Sequence, residues 1–231
     1  MRGTEPPRLV LLASGNGTNV QAVLDACASG TIAARVVAVV SNHAIAPVLA
    51  RACTGGVPAV GLPSMPGEAR AAYDARLADT VARYEPTWIV LAGWMRILTM
   101  SFLGQFPNRV VNLHPALPGA HPGTNAIRRA FDLAREGGPA ETGVMVHLVP
   151  DEGVDDGPLL STRTVPILAT DSLDDLEGRV HGAEHELLVA TLARLCATSE
   201  LAIAGATGRP VGPASIGGSP RGPLANAREA L

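Results

Sequence analysis

Arg8-Leu9-Val10-Leu11-Leu12-Ala13-Ser14-Gly15-Asn16-Gly17-Thr18-Asn19 is the stretch whose reading decides the fold. Arg8 to Ala13 form a nearly continuous apolar run, the pattern of a strand buried on both faces of a parallel sheet. The run stops at Ser14-Gly15. From Asn19 to Ala28, apolar Val20, Val23, Leu24 and Cys27 recur at helical spacing, and Gly30 follows where a helix often ends in glycine. A buried strand, a tight glycine turn and a helix are the opening of an α/β fold.

The same alternation continues. Val36 to Val40 reads as the second strand, Pro47 to Thr54 as a helix and Ala59-Val60-Gly61 as a short third strand. After a Pro/Gly loop at Pro63 to Gly67, a long helix is expected from Glu68 to Tyr84, and Trp88 to Ala92 is the fourth strand. Val110-Val111 leads a further buried strand into Asn112. Strands alternating with helices predict a parallel sheet with right-handed crossovers. The pattern then changes: Thr142 to Val149 and Leu159 to Val165 are extended runs joined by the Asp151 to Pro158 turn, a hairpin-like addition. A last helix runs from Ser172 to Cys196, with Asp171 and Ser172 as cap candidates. Residues 1–200 read as one domain. The segment 201–231 is rich in Gly, Pro, Ala and Ser, too poor in large apolar residues for a second core, and is expected to be a flexible tail.

Composition narrows the function. The 231 residues are 47% hydrophobic and 3% aromatic, so the core is built from Leu, Val, Ile and Ala. The net charge of −3 comes from 18 basic and 21 acidic residues mixed along the chain, without a basic cluster. No nucleic-acid partner is expected, and small molecules are favoured. Cys27, Cys53 and Cys196 are too few and too widely spaced for a disulfide framework or a zinc pattern. Met1 to Arg8 hold no apolar signal core. No stretch reaches the roughly 18 apolar residues of a membrane span. A soluble, cytoplasmic protein without membrane partners is the expectation, as a monomer or homodimer.

Two places carry chemistry. The glycines of Ser14 to Asn19 let backbone N–H groups approach an anion at a helix N-terminus. A dinucleotide fingerprint is disfavoured, because its third glycine position is Val20 and the second strand ends in Ser41-Asn42 rather than an acid. A phosphate monoester suits the loop better; a tight turn with no ligand is the alternative. The second place is Asn112-Leu113-His114-Pro115. Alternation along a strand sends Asn112 and His114 to the same face, and Pro115 ends the strand at the sheet edge where open α/β folds bind ligands. Carboxamide and imidazole together suit acyl transfer, with Asp155 as the carboxylate that orients the ring. The acidic run Asp151, Glu152, Asp155 and Asp156 also fits a solvated turn, and it lacks the ligand spacing of a calcium loop, so no metal is expected.

Five segments in this order resemble the folate-dependent phosphoribosylglycinamide formyltransferases. They are Ala-Ser-Gly-Asn-Gly-Thr-Asn at 13–19, Leu-Ala-Gly-Trp-Met-Arg-Ile-Leu at 91–98, Asn-Leu-His-Pro at 112–115, Asp-Glu-Gly-Val-Asp-Asp-Gly-Pro at 151–158, and Arg-Val-His-Gly-Ala-Glu-His at 179–185. The resemblance spans Arg8 to Leu195. It implies a Rossmann-like, mostly parallel twisted sheet of about seven strands with flanking helices. It also implies formyl transfer from 10-formyltetrahydrofolate, a co-substrate, to the amine of glycinamide ribonucleotide in purine biosynthesis. By resemblance, Gly17, Thr18 and Asn19 hold the ribonucleotide phosphate, and His181 and Glu184 contact its glycinamide or ribose end. Arg70, Met95, Arg96, Ile97 and Leu98, with Asn112, Asp151, Glu152, Gly153, Val154 and Asp155, face the folate. Asn112, His114 and Asp155 match the catalytic trio: Asn112 and protonated His114 donate to the oxyanion, His114 carries the proton to the departing nitrogen, and Asp155 raises the His114 pKa.

Three departures stand out. Asp156 occupies a place where the family often has a small residue, Asn125 one where many members carry His, and Ala116 to His121 replaces the commoner Ser-Leu-Leu-Pro form. Rival readings are another folate-dependent formyltransferase acting on methionyl-tRNA or a sugar nucleotide, a formyltetrahydrofolate hydrolase, and a non-catalytic ligand-binding relative.

Overall fold

The computed structural model describes residues 5–206, with side chains to Thr198. Seven strands, β1 (Arg8–Leu12), β2 (Arg35–Ser41), β3 (Ala59–Gly61), β4 (Trp88–Leu91), β5 (Val110–His114), β6 (Glu141–Leu148) and β7 (Leu159–Pro166), form one sheet in the order β3-β2-β1-β4-β5-β6-β7. The helices are α1 (Thr18–Ala28), α2 (Pro47–Thr54), α3 (Arg70–Ala82), α4 (Met100–Leu103), α5 (Ala126–Arg135) and α6 (Leu173–Ala206). β1 to β5 pair in parallel; β6 runs antiparallel to both β5 and β7. The mostly parallel seven-stranded sheet expected from the sequence is the observed one.

β1 explains why the opening stretch is so apolar. Leu9 to Leu12 are fully buried, with Leu9 and Leu11 in the core on one face of the sheet and Val10 and Leu12 in the core on the other. The first core takes in Val20, Val23 and Leu24 of α1 and Leu176, Leu188 and Leu192 of α6; the second packs Tyr73, Leu77 and Val81 of α3. Each buried Leu or Val contributes about 1.5–3 kcal/mol. Truncating Leu11 to Ala costs about 2–5 kcal/mol because the packed neighbours collapse only in part.

Several element ends differ from the sequence reading. α3 begins at Arg70 rather than Glu68, because Glu68 is engaged with the Arg76 guanidinium and the Met65 N–H. α6 continues past Cys196 to Ala206; residues 207–231, the rest of the expected tail, lie outside those described. Of the two cap candidates, Ser172 caps α6: its Oγ accepts the Asp175 N–H at 3.2 Å while the Asp175 carboxylate accepts the Ser172 N–H at 2.9 Å, a reciprocal capping box. Asp171 instead takes both Nη groups of Arg179 and the Leu168 N–H. Among the described residues no helix is long and apolar enough to cross a membrane.

The chain order reverses direction between β1 and β4, which lie side by side with β2 and β5 outside them. A crevice at the carboxyl ends of the strands flanking such a switch is where open sheets bind ligands. Here the two ends are tied together: Ser14 N–H donates to the Gly93 carbonyl at 2.9 Å and Met95 N–H to Ser14 Oγ at 2.8 Å.

Candidate active site

The glycine turn leads β1 into α1. Gly17 adopts a left-handed φ of +78° as the α1 N-cap, and no side chain caps the helix. The leading N–H groups of a helix have no intrahelical acceptor, so this end presents donors. Asn19 is 9% exposed, and its Oδ1 has no hydrogen-bond partner among the described residues. Gly17 cannot be replaced cheaply: a Cβ there falls 2.3 Å from Cγ2 of Val48 on α2.

At the end of β5, Asn112 and His114 share a face as expected, and β6 lies antiparallel beside them with His147 opposite Asn112. Asp155 reaches this pair from the turn between β6 and β7. Its Oδ2 is 3.3 Å from His114 Nδ1 and accepts the Gly123 N–H at 2.8 Å; its Oδ1 accepts from Asn112 Nδ2 at 3.0 Å. Asp155 adopts a left-handed φ of +57°, a region that Asp and Asn tolerate better than most residues. The carboxylate is thus aimed by its own backbone and held from three sides.

His147 was not singled out from the sequence. It is 2% exposed. Its Nδ1 lies 2.8 Å from the Leu148 carbonyl and its Nε2 3.1 Å from Asn112 Nδ2. A carbonyl only accepts, so Nδ1 carries a proton. With the ring neutral, Nε2 accepts from Asn112, whose two N–H bonds then serve His147 and Asp155; with the ring charged, Nε2 turns a proton toward Asp155 Oδ1, 3.6 Å away. The reverse amide orientation would set Oδ1 against the Asp155 carboxylate. With Nδ2 given to these partners, the carbonyl oxygen is the group that Asn112 leaves for a ligand.

Asp155 raises the His114 pKa as expected, and burial lowers it more. The ring is 5% exposed, with its Nε2 3.1 Å from the His121 carbonyl. Burial pulls its pKa below the ordinary imidazole value, and the Asp155 charge and the His121 carbonyl offset this only in part. Asp155 does favour the imidazolium, but desolvation wins. Both ring nitrogens face acceptors, and only the charged ring donates to both. Burial also works against the Asp155 charge; the His147 ring, the Gly123 N–H and the His114 ring outweigh it and hold the carboxyl below its usual range. The His121 carbonyl is fixed from behind by Arg129, whose Nη2 donates to it at 2.7 Å and to the Pro122 carbonyl at 2.6 Å.

The remaining candidates are more scattered. Met95 and Ile97 are exposed apolar side chains, Leu98 is buried, and the Arg96 guanidinium stacks 4.2 Å from the Tyr73 ring. Arg70 lies 3.8 Å from Glu152, whose Oε1 accepts the Met100 N–H at 3.0 Å, so the acidic turn is tied to this wall. Asp151 Oδ1 accepts the Gly153 N–H at 2.9 Å. Val154 is exposed, and Asp156 is exposed with its carboxylate over Gly153. A cavity of about 360 Å3 opens against Asp155, lined by Pro118, Gly119, Met145, Val154 and Leu159 among others. Met95 to Leu98 do not line it. His181 and Glu184 sit one turn apart on α6 with Nδ1 and Oε2 2.6 Å apart; that bond raises the His181 pKa. Among the described residues no hydrogen bond or ion pair joins them to the trio. Asn125 is the exposed N-cap of α5, with φ +57°. Among the described residues no group of three or more His, Cys, Asp or Glu is arranged to hold a metal.

Known proteins resemble this chain over most of its length. A family described as formyl transferase matches residues 7–192. The phosphoribosylglycinamide formyltransferase of Schizosaccharomyces pombe is 42% identical over 193 residues, covering 78% of this chain and 93% of the relative. That of Escherichia coli is 41% identical, covering 78% and 82%. The crystal structure of glycinamide ribonucleotide transformylase 1 from Symbiobacterium toebii superposes with a TM-score of 0.78 at 36% identity, covering 86% of this chain and 94% of that one.

Proposed function

The chain belongs to the formyl transferase family, and from that premise we propose that it moves a formyl group from 10-formyltetrahydrofolate to the amine of 5′-phosphoribosylglycinamide, a step of purine biosynthesis. The observation that carries this reading is the meeting of Asp155 with His114 and Asn112, at 3.3 and 3.0 Å, on the sheet edge where the glycine turn opens. A phosphate-binding end and an acyl-transfer end on one edge suit a phosphorylated amine acceptor.

The mechanism draws on backbone N–H groups and side chains of the chain. The phosphate docks on the N–H groups around Gly17, Thr18 and Asn19, with His181 and Glu184 toward the rest of the ribonucleotide. The folate lies against Met95, Ile97 and Val154. The neutral amine attacks the formyl carbon, and the carbonyl π pair becomes an oxyanion on a tetrahedral centre. Asn112 Oδ1 accepts a hydrogen bond from the attacking N–H. The imidazolium form of His114 donates to the oxyanion, where a placed donor lowers the barrier most. Collapse expels the folate nitrogen, a poor leaving group as an anion. His114 gives it a proton, and the new amide's excess proton restores the ring, directly or through water. Asp155 stabilises the charged ring throughout. Because His114 Nε2 faces the His121 carbonyl, contact of that nitrogen with the reacting carbonyl requires residues 121–123 to yield.

The test is a rate measurement with 10-formyl-5,8-dideazafolate, followed by absorbance with and without glycinamide ribonucleotide. Transfer that needs both compounds supports the reading. Ribonucleotide-independent release of formate would convert it to a hydrolase, and tight binding without turnover would defeat it in favour of a binding protein.

A further inference from the structure

Arg51 does nothing in the chemistry described, yet it is bonded to the middle of the glycine turn. It stands in the last turn of α2, and its Nε donates to the Asn16 carbonyl at 2.8 Å while Nη2 donates to Asn16 Oδ1 at 3.0 Å. Asn16 lies between Gly15 and the left-handed Gly17. The same helix touches both neighbours of that residue: Val48 N–H donates to the Gly15 carbonyl at 3.2 Å, and the Val48 side chain fills the space over Gly17. A turn with two glycines is conformationally loose by itself. Here α2 grips it at three consecutive residues.

We propose that Arg51 is the positioning residue of the phosphate site, a guanidinium fork that fixes Asn16 so that the N–H groups at the start of α1 converge on a phosphate monoester. This rests on the reading of the turn as the ribonucleotide phosphate site. The geometry of the fork supports it. All 18 basic residues of the chain are arginines, and a fork holding one carbonyl and one amide oxygen together is geometry that an ammonium does not reproduce. The fork binds the main chain and side chain of one residue, which sets its position and tilt at once. Its role is to set the turn, and the charge it brings near the phosphate is secondary.

The test uses the full chain, Arg51→Lys and Arg51→Met, with glycinamide ribonucleotide as substrate and inorganic phosphate as probe. Both variants are expected to raise KM for the ribonucleotide, and the inhibition constant of phosphate, by about tenfold or more. KM for the folate and kcat should change much less. Wild-type affinity restored by Arg51→Lys would overturn the fork in favour of simple charge. Unchanged constants in both variants, or equal losses for ribonucleotide and folate, would overturn it outright. If the wild type transfers no formyl group, the functional reading falls separately. Phosphate protection against thermal unfolding then decides the fork: protection lost in both variants supports it, and protection absent in the wild type or kept in the variants overturns it.

Discussion

Replacing Asp155 by Asn removes one charge and one hydrogen-bond acceptor while suiting the local backbone. Asn is among the few residues that accept the left-handed φ of +57° found there, and its Oδ1 can still accept the Gly123 N–H that Asp155 takes at 2.8 Å. Its Nδ2 then faces Asn112 Nδ2, so the acceptor that Asp155 gives that amide at 3.0 Å is lost together with the negative charge 3.3 Å from His114 Nδ1. At about 4 Å and an effective dielectric of about 20, such a pair is worth about 4 kcal/mol. Solvent reaching the open side of the turn lowers this to about 2–4 kcal/mol. Since each factor of ten in rate is about 1.4 kcal/mol, kcat should fall by roughly 30- to 1,000-fold. The His114 pKa, already lowered by burial, should move further down. Acidification should therefore recover part of the variant's activity by restoring the imidazolium. The assay is the initial rate of formyl transfer against pH, with thermal unfolding as a control for the fold. A folded Asp155→Asn protein with kcat within about threefold of wild type would refute the electrostatic role of Asp155.

Gly17→Ala should raise KM for the ribonucleotide and lower the unfolding temperature, since the added Cβ meets Val48 at 2.3 Å in a backbone region with φ +78°; about 1–3 kcal/mol is expected, measured by denaturant unfolding. Asp171→Asn should lower the unfolding temperature at neutral pH. The Arg179 guanidinium holds the Asp171 carboxyl down to about 2, so its contribution is present above the unfolded value and disappears as pH falls through about 2; the two melting curves should merge there. His181 has its pKa raised by Glu184. Its stabilisation is complete below the ordinary imidazole value and is lost as pH rises through the raised one, so His181→Gln should flatten the stability profile in that window, followed by thermal unfolding against pH.

Legibility in the sequence tracked the range of the interactions involved. β1, α1, β2 and α2 were readable because burial on both faces and helical spacing are local patterns, and the glycine turn between them is punctuation. α5 went unread although Ala126, Ile127 and Ala130 form a buried stripe opposite a mostly polar face; the prolines and glycines before it read as continuing loop. α4, with four residues, is too short for any period to register. Within the site, Asn112 and His114 were readable because two residues on one strand share a face. His147 was not: its place opposite Asn112 depends on the antiparallel register of β5 and β6, which no local pattern encodes. The same holds for the amide orientation of Asn112, decided by two partners 35 and 43 residues away. The sign of the His114 shift followed from burial, a property of the assembled fold.

Transfer of an isotope-labelled formyl group from 10-formyltetrahydrofolate, read by mass spectrometry of the ribonucleotide product, tests the central claim most directly. One labelled formyl group per glycinamide ribonucleotide is expected with wild-type protein, and a product yield lowered at least tenfold with Asp155→Asn at equal time and enzyme. Label recovered as free formate whether or not ribonucleotide is present, or equal labelled product from the two proteins, would contradict it.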